Sequence, residues 1–270
     1  MGIWLGPCGK RAITESDFSY GGNYIFTTSP DGKHWELALL DGNATSLVFT
    51  KNPGKVDIFA VAGGAKASYY GTTPQNAQVG PSNGGPGGNG GECVTRSAVS
   101  LAANTNYSVS IGGSDQSTTI SGGDLSITAA SGLGSSGGVG GMAAQDRTTD
   151  ASNGTDGVFA YGKPSDTLIT TAFQGHKFGA GGGGGGSMLY VDQTKNSLNG
   201  LGGESNGPNH EYGKGGIYSK KNGSAGYPNH GQGGGGPYYW YTGSANRYGD
   251  GTDNALGLGG SGIIFIRDAQ

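Results

Sequence analysis

The sequence has little charge of either sign. Charged residues make up 13% of its 270 residues, against about 25% in ordinary soluble domains. The formal net charge is only −3, so disorder driven by high net charge is excluded. With 16 Lys and Arg residues spread along the chain and an isoelectric point near 5.7, no nucleic-acid partner is expected.

Long apolar runs are also missing. The longest apolar stretches, 58–62 and 263–266, suit strands and fall far below the ~20 residues that cross a bilayer. The first residues lack the basic and apolar regions of a secretory signal. We therefore expect no membrane insertion, and synthesis in a cytoplasm.

Cysteine is nearly absent, with only Cys8 and Cys93 present. A bridge between them would close a long loop and add roughly 4 to 5 kcal/mol of stability. Two thiols in a reducing cytosol are the favoured alternative. Because no Cys-x-x-Cys pair occurs, a zinc knuckle and a thioredoxin-type site are excluded.

Glycine is the dominant residue type. It accounts for 60 of the 270 residues, about three times the usual share of about 7%. A flexible linker would carry its glycine in one block, and collagen would need more proline and an unbroken G-X-Y register. Here the glycine runs alternate with strand-like segments; they lie at 84–91, 137–142, 181–186, 200–203, 213–216, 233–236 and 257–262.

The segments between the glycine runs have the pattern of short strands punctuated by turns. Ser29-Pro30-Asp31-Gly32 and Asn52-Pro53-Gly54 are strong turn sequences, and no stretch sustains a 3.6-residue apolar period over three turns. The pattern predicts an all-β fold with very little α-helix, built on an antiparallel, jelly-roll-like β-sandwich. We expect an N-terminal attachment or leader segment at 1–22, and at 23–270 the sandwich with an inserted glycine-rich bundle.

Glycine in triplet register suits an extended left-handed helix with three residues per turn and a rise of about 3.1 Å. Ordering each residue costs about 1 to 2 kcal/mol, while a hydrogen bond returns only about 0.5 to 1.5 kcal/mol. One such strand would stay disordered. We therefore expect a packed bundle of polyglycine-II helices that bond laterally and are anchored by the β scaffold.

Several stretches carry a resemblance to a known family. They read KVDIFAVAGG at 55–64, three G-G-X triplets at 84–92, ECVT at 92–95, YSVSIGG at 107–113 and GGSGIIFIR at 259–267. Together they resemble the glycine-rich domains of bacteriophage tail-fibre and receptor-binding (adhesin) proteins, over about residues 45–270. In that family a β scaffold carries polyglycine helices, and the loops between them contact the host surface.

The resemblance implies a tail-fibre tip or receptor-binding protein that resides in the virion and attaches it to a host cell. The implied partners are a host-surface protein or glycan and other tail-fibre or baseplate proteins. Fibre proteins are commonly trimers, so a homotrimer is one option, although no heptads argue for it. The alternative is a structural virion component, a fibre or baseplate connector without receptor contact.

Aromatic residues are the candidate receptor-binding groups. Four consecutive aromatics cannot all point inward from one extended segment, and Tyr and Trp suit contacts with proteins and sugars alike. The alternative is that the rings cover the bundle. The candidates are Tyr69, Tyr70, Tyr238, Tyr239, Trp240, Tyr241 and Tyr248.

Metal and catalytic patterns are weak. A Pro-Asn-His motif occurs at 208–210 and again at 228–230, and His210, Glu211 and His230 are weak candidates for a metal site. We favour two turns that cap neighbouring glycine strands, with Asn and His bonded to the loop backbone. No recognisable catalytic spacing occurs, so we expect no enzyme activity, no metal and no cofactor.

Overall fold

The computed structural model describes residues 12–68, 84–132, 138–143, 150–162, 168–188, 212–216, 222–241, 246–248 and 256–269. Within these ranges the chain forms β-strands, extended segments and short 3-10 helices at Glu15–Asp17, Ala160–Gly162 and Thr171–Phe173. This described part contains no α-helix. The predicted all-β class is confirmed.

Two five-stranded antiparallel sheets form the scaffold. The first contains, in spatial order, β1 (Phe18–Tyr20), β4 (Thr45–Phe49), β7 (Asn106–Ser110), β8 (Thr118–Gly122) and β9 (Leu125–Ala129). The second contains β2 (Tyr24–Thr28), β3 (Trp35–Leu39), β15 (Ile263–Asp268), β5 (Gly54–Val61) and β6 (Cys93–Leu101). Strand β15 lies at the centre of the second sheet, between β3 and β5.

The two sheets share one apolar core. Because side chains alternate along a strand, Ile58 and Ala60 of β5 lie in this core, whereas Phe59 lies on the opposite face. Leu47 and Phe49 reach the core from the first sheet and are fully buried. Burying a side chain of this size contributes about 1.5 to 3 kcal/mol. The antiparallel sandwich is confirmed, while its likeness to a jelly roll stays a prediction.

The scaffold begins earlier than the sequence predicted. Ile13 and Phe18 are buried in the core between the sheets, and Phe18 is the register partner of Phe49 on β4. The Thr14 backbone N–H donates to the Asp17 carboxylate at 2.8 Å, which fixes the turn before β1. The expected boundary after residue 22 is therefore wrong, since residues 12–22 belong to the sandwich; residues 1–11 lie outside the described ranges.

A covering segment, described at 158–162 and 168–178, packs on the outer face of the second sheet. Its short strands β10 (Val158–Phe159) and β11 (Lys177–Phe178) pair with each other. Phe173 and Phe178 pack with Phe59 and Phe265 of the sheet in a second apolar cluster. The second sheet is thus buried on both faces, which explains why β5 and β15 are almost continuously apolar.

A row of charged side chains crosses the second sheet under this cover. Arg267 is the register partner of both Glu36 and Asp57, and its guanidinium carbon lies 3.8 Å from the centroid of the Tyr161 ring. The Glu36 carboxylate accepts a 3.0 Å hydrogen bond from the Thr170 N–H, and burial raises the pKa of Glu36. All three charged side chains are buried, and the contacts of Glu36 with Thr170 and of Arg267 with Tyr161 hold the covering segment on the sheet.

Glycine-rich segments leave the sandwich from one end. Segment 62–68 continues from β5, while 84–92 leads into β6 and 256–262 leads into β15. These segments and their hydrogen-bonded neighbours form the glycine bundle, which comprises 62–68, 84–92, 138–143, 150–157, 179–186, 212–216, 222–227, 231–237 and 256–262.

Backbone hydrogen bonds join the segments of the glycine bundle at every third residue. The N–H groups of Gly85, Gly88 and Gly91 donate to the carbonyls of Pro237, Gly234 and Gly231. On a different neighbour, the N–H groups of Gly87 and Gly90 donate to the carbonyls of Gly141 and Gly138. Segment 231–237 is enclosed by neighbours, because it shares such bonds with 62–68, 84–92, 179–186, 212–216, 222–227 and 256–262.

The segments lie too close together for side chains to fit between them. A Cβ atom on Gly182 would lie 2.1 Å from the carbonyl oxygen of Gly234, and one on Gly87 would lie 2.1 Å from that of Gly182. These obstacles are backbone atoms that cannot rotate away. The abundance of glycine is therefore a packing requirement of the bundle.

Replacing Gly182 with alanine should lower the free energy of unfolding by about 3 kcal/mol, because the added methyl group forces two backbones apart. Urea denaturation measures the loss. Gly113→Ala is the matched control, since a Cβ there would meet only the Gln116 Oε1 atom at 3.5 Å; its effect should stay within about 0.5 kcal/mol. Equal losses in the two variants would contradict the close packing.

Candidate functional site

The glycine bundle has a near end at the sandwich and a far end away from it. Segment 62–68 runs outwards from β5, and 84–92 runs back into β6. The outgoing segments 138–143 and 212–216 also stop at the far end, and their hydrogen-bonded returning partners 150–157 and 222–227 resume there. At each of these three places the described chain stops at the far end and resumes there.

A small three-stranded sheet stands at the far end. Strand β13 (Tyr239–Tyr241) pairs in parallel with β12 (Ser187–Met188) and antiparallel with β14 (Asn246–Tyr248). Strands β12 and β13 continue directly from segments 179–186 and 231–237, so the bundle fixes where they begin.

The far-end sheet brings together part of the predicted aromatic set. Tyr239 and Tyr248 are register partners across β13 and β14, and Trp240 is the partner of Arg247. The sequence predicted the cluster of aromatic residues but not this pairing. Tyr69 and Tyr70 belong to the connection 69–83, which lies outside the described residues.

Tyr238 corrects the predicted receptor-binding set. Its side chain is fully buried, with 0% of its surface exposed, at the point where segment 231–237 ends and β13 begins. A side chain in this position is not available to a receptor. For Tyr238 the alternative interpretation holds, in which the ring covers the bundle.

Tyr238→Ala should cost about 3 to 5 kcal/mol of stability, as is usual when a large buried ring is truncated. Thermal denaturation measures this loss. Leu258→Ala is the control, since Leu258 is a large bundle side chain that is 53% exposed and should lose less than about 1 kcal/mol. A Tyr238→Ala variant as stable as the control would mean that the ring is not packed.

The second Pro-Asn-His motif forms a turn at the near end of the bundle. Asn229 has a positive φ of 59°, its backbone N–H donates to Ser261 Oγ at 2.9 Å, and His230 Nδ1 lies 2.7 Å from the Pro228 carbonyl oxygen. The turn predicted for this copy is confirmed, with the histidine bonded to the loop backbone. The first copy, with His210 and Glu211, lies outside the described residues.

His230 pairs with a histidine that sequence analysis did not single out. His176 Nδ1 lies 2.8 Å from His230 Nε2. Because a carbonyl can only accept, His230 Nδ1 is the donor to Pro228, so its unprotonated Nε2 accepts from His176 Nδ1–H. His230 is 2% exposed and stacks on Phe178, with the ring centroids 5.0 Å apart. Both of its nitrogens are engaged in hydrogen bonds, which leaves neither for a metal.

Burial lowers the pKa of His230 to about 4 and also lowers the pKa of His176. The His176 side chain adds to the shift on His230, because two neighbouring imidazolium groups would repel each other. The pair is neutral near pH 7. Across the described part of the chain, no group of three or more His, Cys, Asp or Glu side chains could hold a metal ion.

The free energy of unfolding should fall as the pH drops from 6.5 to 4. In the unfolded chain the imidazole of His230 has a pKa of about 6.5, whereas in the folded protein its pKa is about 4. Between these two pH values the unfolded state therefore binds a proton that the folded state does not. Linkage predicts a loss of about 3 kcal/mol from His230. Urea denaturation across this pH range should show a smaller loss for His230→Phe than for wild type. An identical pH dependence in both proteins would contradict the buried neutral pair.

Two further expectations concern redox state and membranes. Cys93 is present as a thiol, whereas Cys8 lies outside the described residues. Among the residues described, no helix has the length and apolar character to cross a membrane.

Comparison with known proteins does not assign the chain to a family. No protein-family profile matches the chain, and no curated protein matches it significantly.

Proposed function

We propose that this protein is a phage tail-fibre tip or receptor-binding protein that attaches the virion to a host-cell surface receptor. The observation that supports this role is the far-end sheet, in which the aromatic strand Tyr239–Tyr241 pairs with Asn246–Tyr248. That sheet stands at the far end of the glycine bundle, away from the sandwich.

We also propose that the bundle segments are polyglycine-II helices. Hydrogen bonds at every third residue, as from Gly85, Gly88 and Gly91, fit a helix with three residues per turn. The enclosure of segment 231–237 by neighbours on all sides fits lateral packing of such helices. At a rise of about 3.1 Å per residue, segment 179–186 would span about 25 Å.

A firm bundle gives a binding surface a physical advantage. Loops that become ordered only on contact lose about 0.5 to 1.5 kcal/mol per immobilised side chain. Strands that continue from hydrogen-bonded segments are ordered before the receptor arrives. Several copies on one virion would then convert modest single-site affinity into firm attachment. The partner is a host-surface protein or glycan, and the role is one of binding and not of catalysis.

The test uses the purified full chain and cells of a susceptible host. The protein should bind these cells and block phage adsorption. Tyr239→Ala with Trp240→Ala should weaken binding at least about tenfold, as expected when central aromatic contacts are lost, without lowering the melting temperature. Tyr24→Ala, on a sandwich strand, is the control and should bind as wild type does.

The same experiment separates the alternative role. A fibre or baseplate connector would bind another virion protein and ignore the cells. Unchanged binding by the double variant would leave the adhesin role possible through other loops but would reject the aromatic strand as the contact. Absence of any cell binding by the wild type would overturn the proposal.

A further inference from the structure

A groove opens at the end of the sandwich opposite the glycine bundle. It is formed where β3 and β5 begin and where β15 ends, and it has a volume of about 480 Å³. This volume lies within the range of about 300 to 1,000 Å³ that is typical of ligand sites. Its lining includes Ile13, Lys33, Trp35, Lys51, Lys55 and Asp268.

The one carboxylate in the groove is held by groups of the protein itself. Asp268 Oδ1 accepts from the Trp35 N–H at 2.9 Å, and Asp268 Oδ2 lies 2.6 Å from His34 Nδ1. These contacts orient both carboxylate oxygens towards β3. Trp35 and Ile13 are buried beside it and give the groove an apolar base.

The rim of the groove is positively charged. Lys33, Lys51 and Lys55 line it, in a chain whose net charge is −3. The Lys33 side chain is 76% exposed and its Nζ lies 3.4 Å from an Asp31 oxygen, a surface pair that contributes little stability. Lys55 is exposed, and Lys51 Nζ donates to the Ala12 carbonyl at 3.2 Å. Two exposed lysines, Lys33 and Lys55, therefore place cationic groups around the apolar base.

We propose that this groove binds an extended peptide segment that carries carboxylate side chains. Apolar side chains of the segment would pack near Trp35 and Ile13, and its carboxylates would pair with Lys33 and Lys55. Complementary charge of this kind gives an interface its specificity and association rate. If the proposed function holds, on which the identity of the partner rests, the segment belongs to the virion component that carries this protein.

The position of the groove is consistent with separate sites for the peptide partner and for the receptor. Strand β5 begins at Gly54 in the groove and ends at Val61, where segment 62–68 enters the bundle. The groove and the far-end sheet are thus separated by the full length of the sandwich and the bundle. A partner in the groove and a receptor at the far end do not compete for space.

Isothermal titration calorimetry on the full chain tests the site, with the blocked hexapeptide acetyl-Asp-Leu-Glu-Glu-Leu-Asp-amide as probe. Wild type should bind it, and Lys33→Glu with Lys55→Glu should weaken binding at least about tenfold. Lys66→Glu with Lys214→Glu makes the same charge change on the bundle and should leave binding within about twofold. The uncharged Asn/Gln version of the peptide should bind at least about tenfold more weakly.

Three results would overturn the proposal: no binding of the acidic probe by wild type, equal weakening by the two double variants, or equal affinity for the uncharged peptide. Cell binding is measured in parallel, because Lys33→Glu with Lys55→Glu should leave attachment to cells intact. Cell binding without probe binding rejects the groove alone, whereas probe binding without cell binding rejects the adhesin role alone.

Discussion

Lateral hydrogen bonding between backbones that carry no side chains is the constraint on which this structure depends. Each such bond contributes only about 0.5 to 1.5 kcal/mol, while ordering a residue costs about 1 to 2 kcal/mol, and glycine loses most. An isolated glycine segment cannot recover this cost. Segment 231–237 recovers it by bonding to neighbours on all sides, and those neighbours can come so close only because Cβ atoms are absent.

The sandwich supplies what the glycine bundle lacks, which is an apolar core and fixed ends. Strands β5, β6 and β15 connect directly to bundle segments, so the second sheet sets their spacing. At the near end, Phe178 packs edge-on against Phe265 and stacks on His230. Aromatic packing thus joins β15, the central strand of the second sheet, to the turn that starts segment 231–237. The arrangement of the bundle segments therefore continues the arrangement of the strands to which they connect.

Local sequence patterns predicted the kinds of element well and the position of individual side chains less well. Turn sequences and alternating apolar residues were sufficient to predict that strands form, because these signals come from residues close together in the chain. Tyr238 was assigned to the receptor with its neighbours, yet it is buried, since a run of aromatics does not show where the bundle ends. Residues 12–22 were assigned to a leader, although Phe18 completes the core through its pairing with Phe49. The sequence around Phe18 does not indicate that it pairs with Phe49, because the two residues lie far apart in the chain.

The sequence by itself determined that the fold is all-β, that glycine runs alternate with strands, and that the second Pro-Asn-His motif forms a turn. Each of these follows from residues close together in the chain. Only the tertiary structure decided which segments are neighbours in the bundle, that His176 meets His230, and that Lys33 and Lys55 line one groove. These contacts join residues far apart in sequence. Because glycine has no side chain to specify a partner, pairing within the bundle is set by where the sandwich holds the ends of each segment.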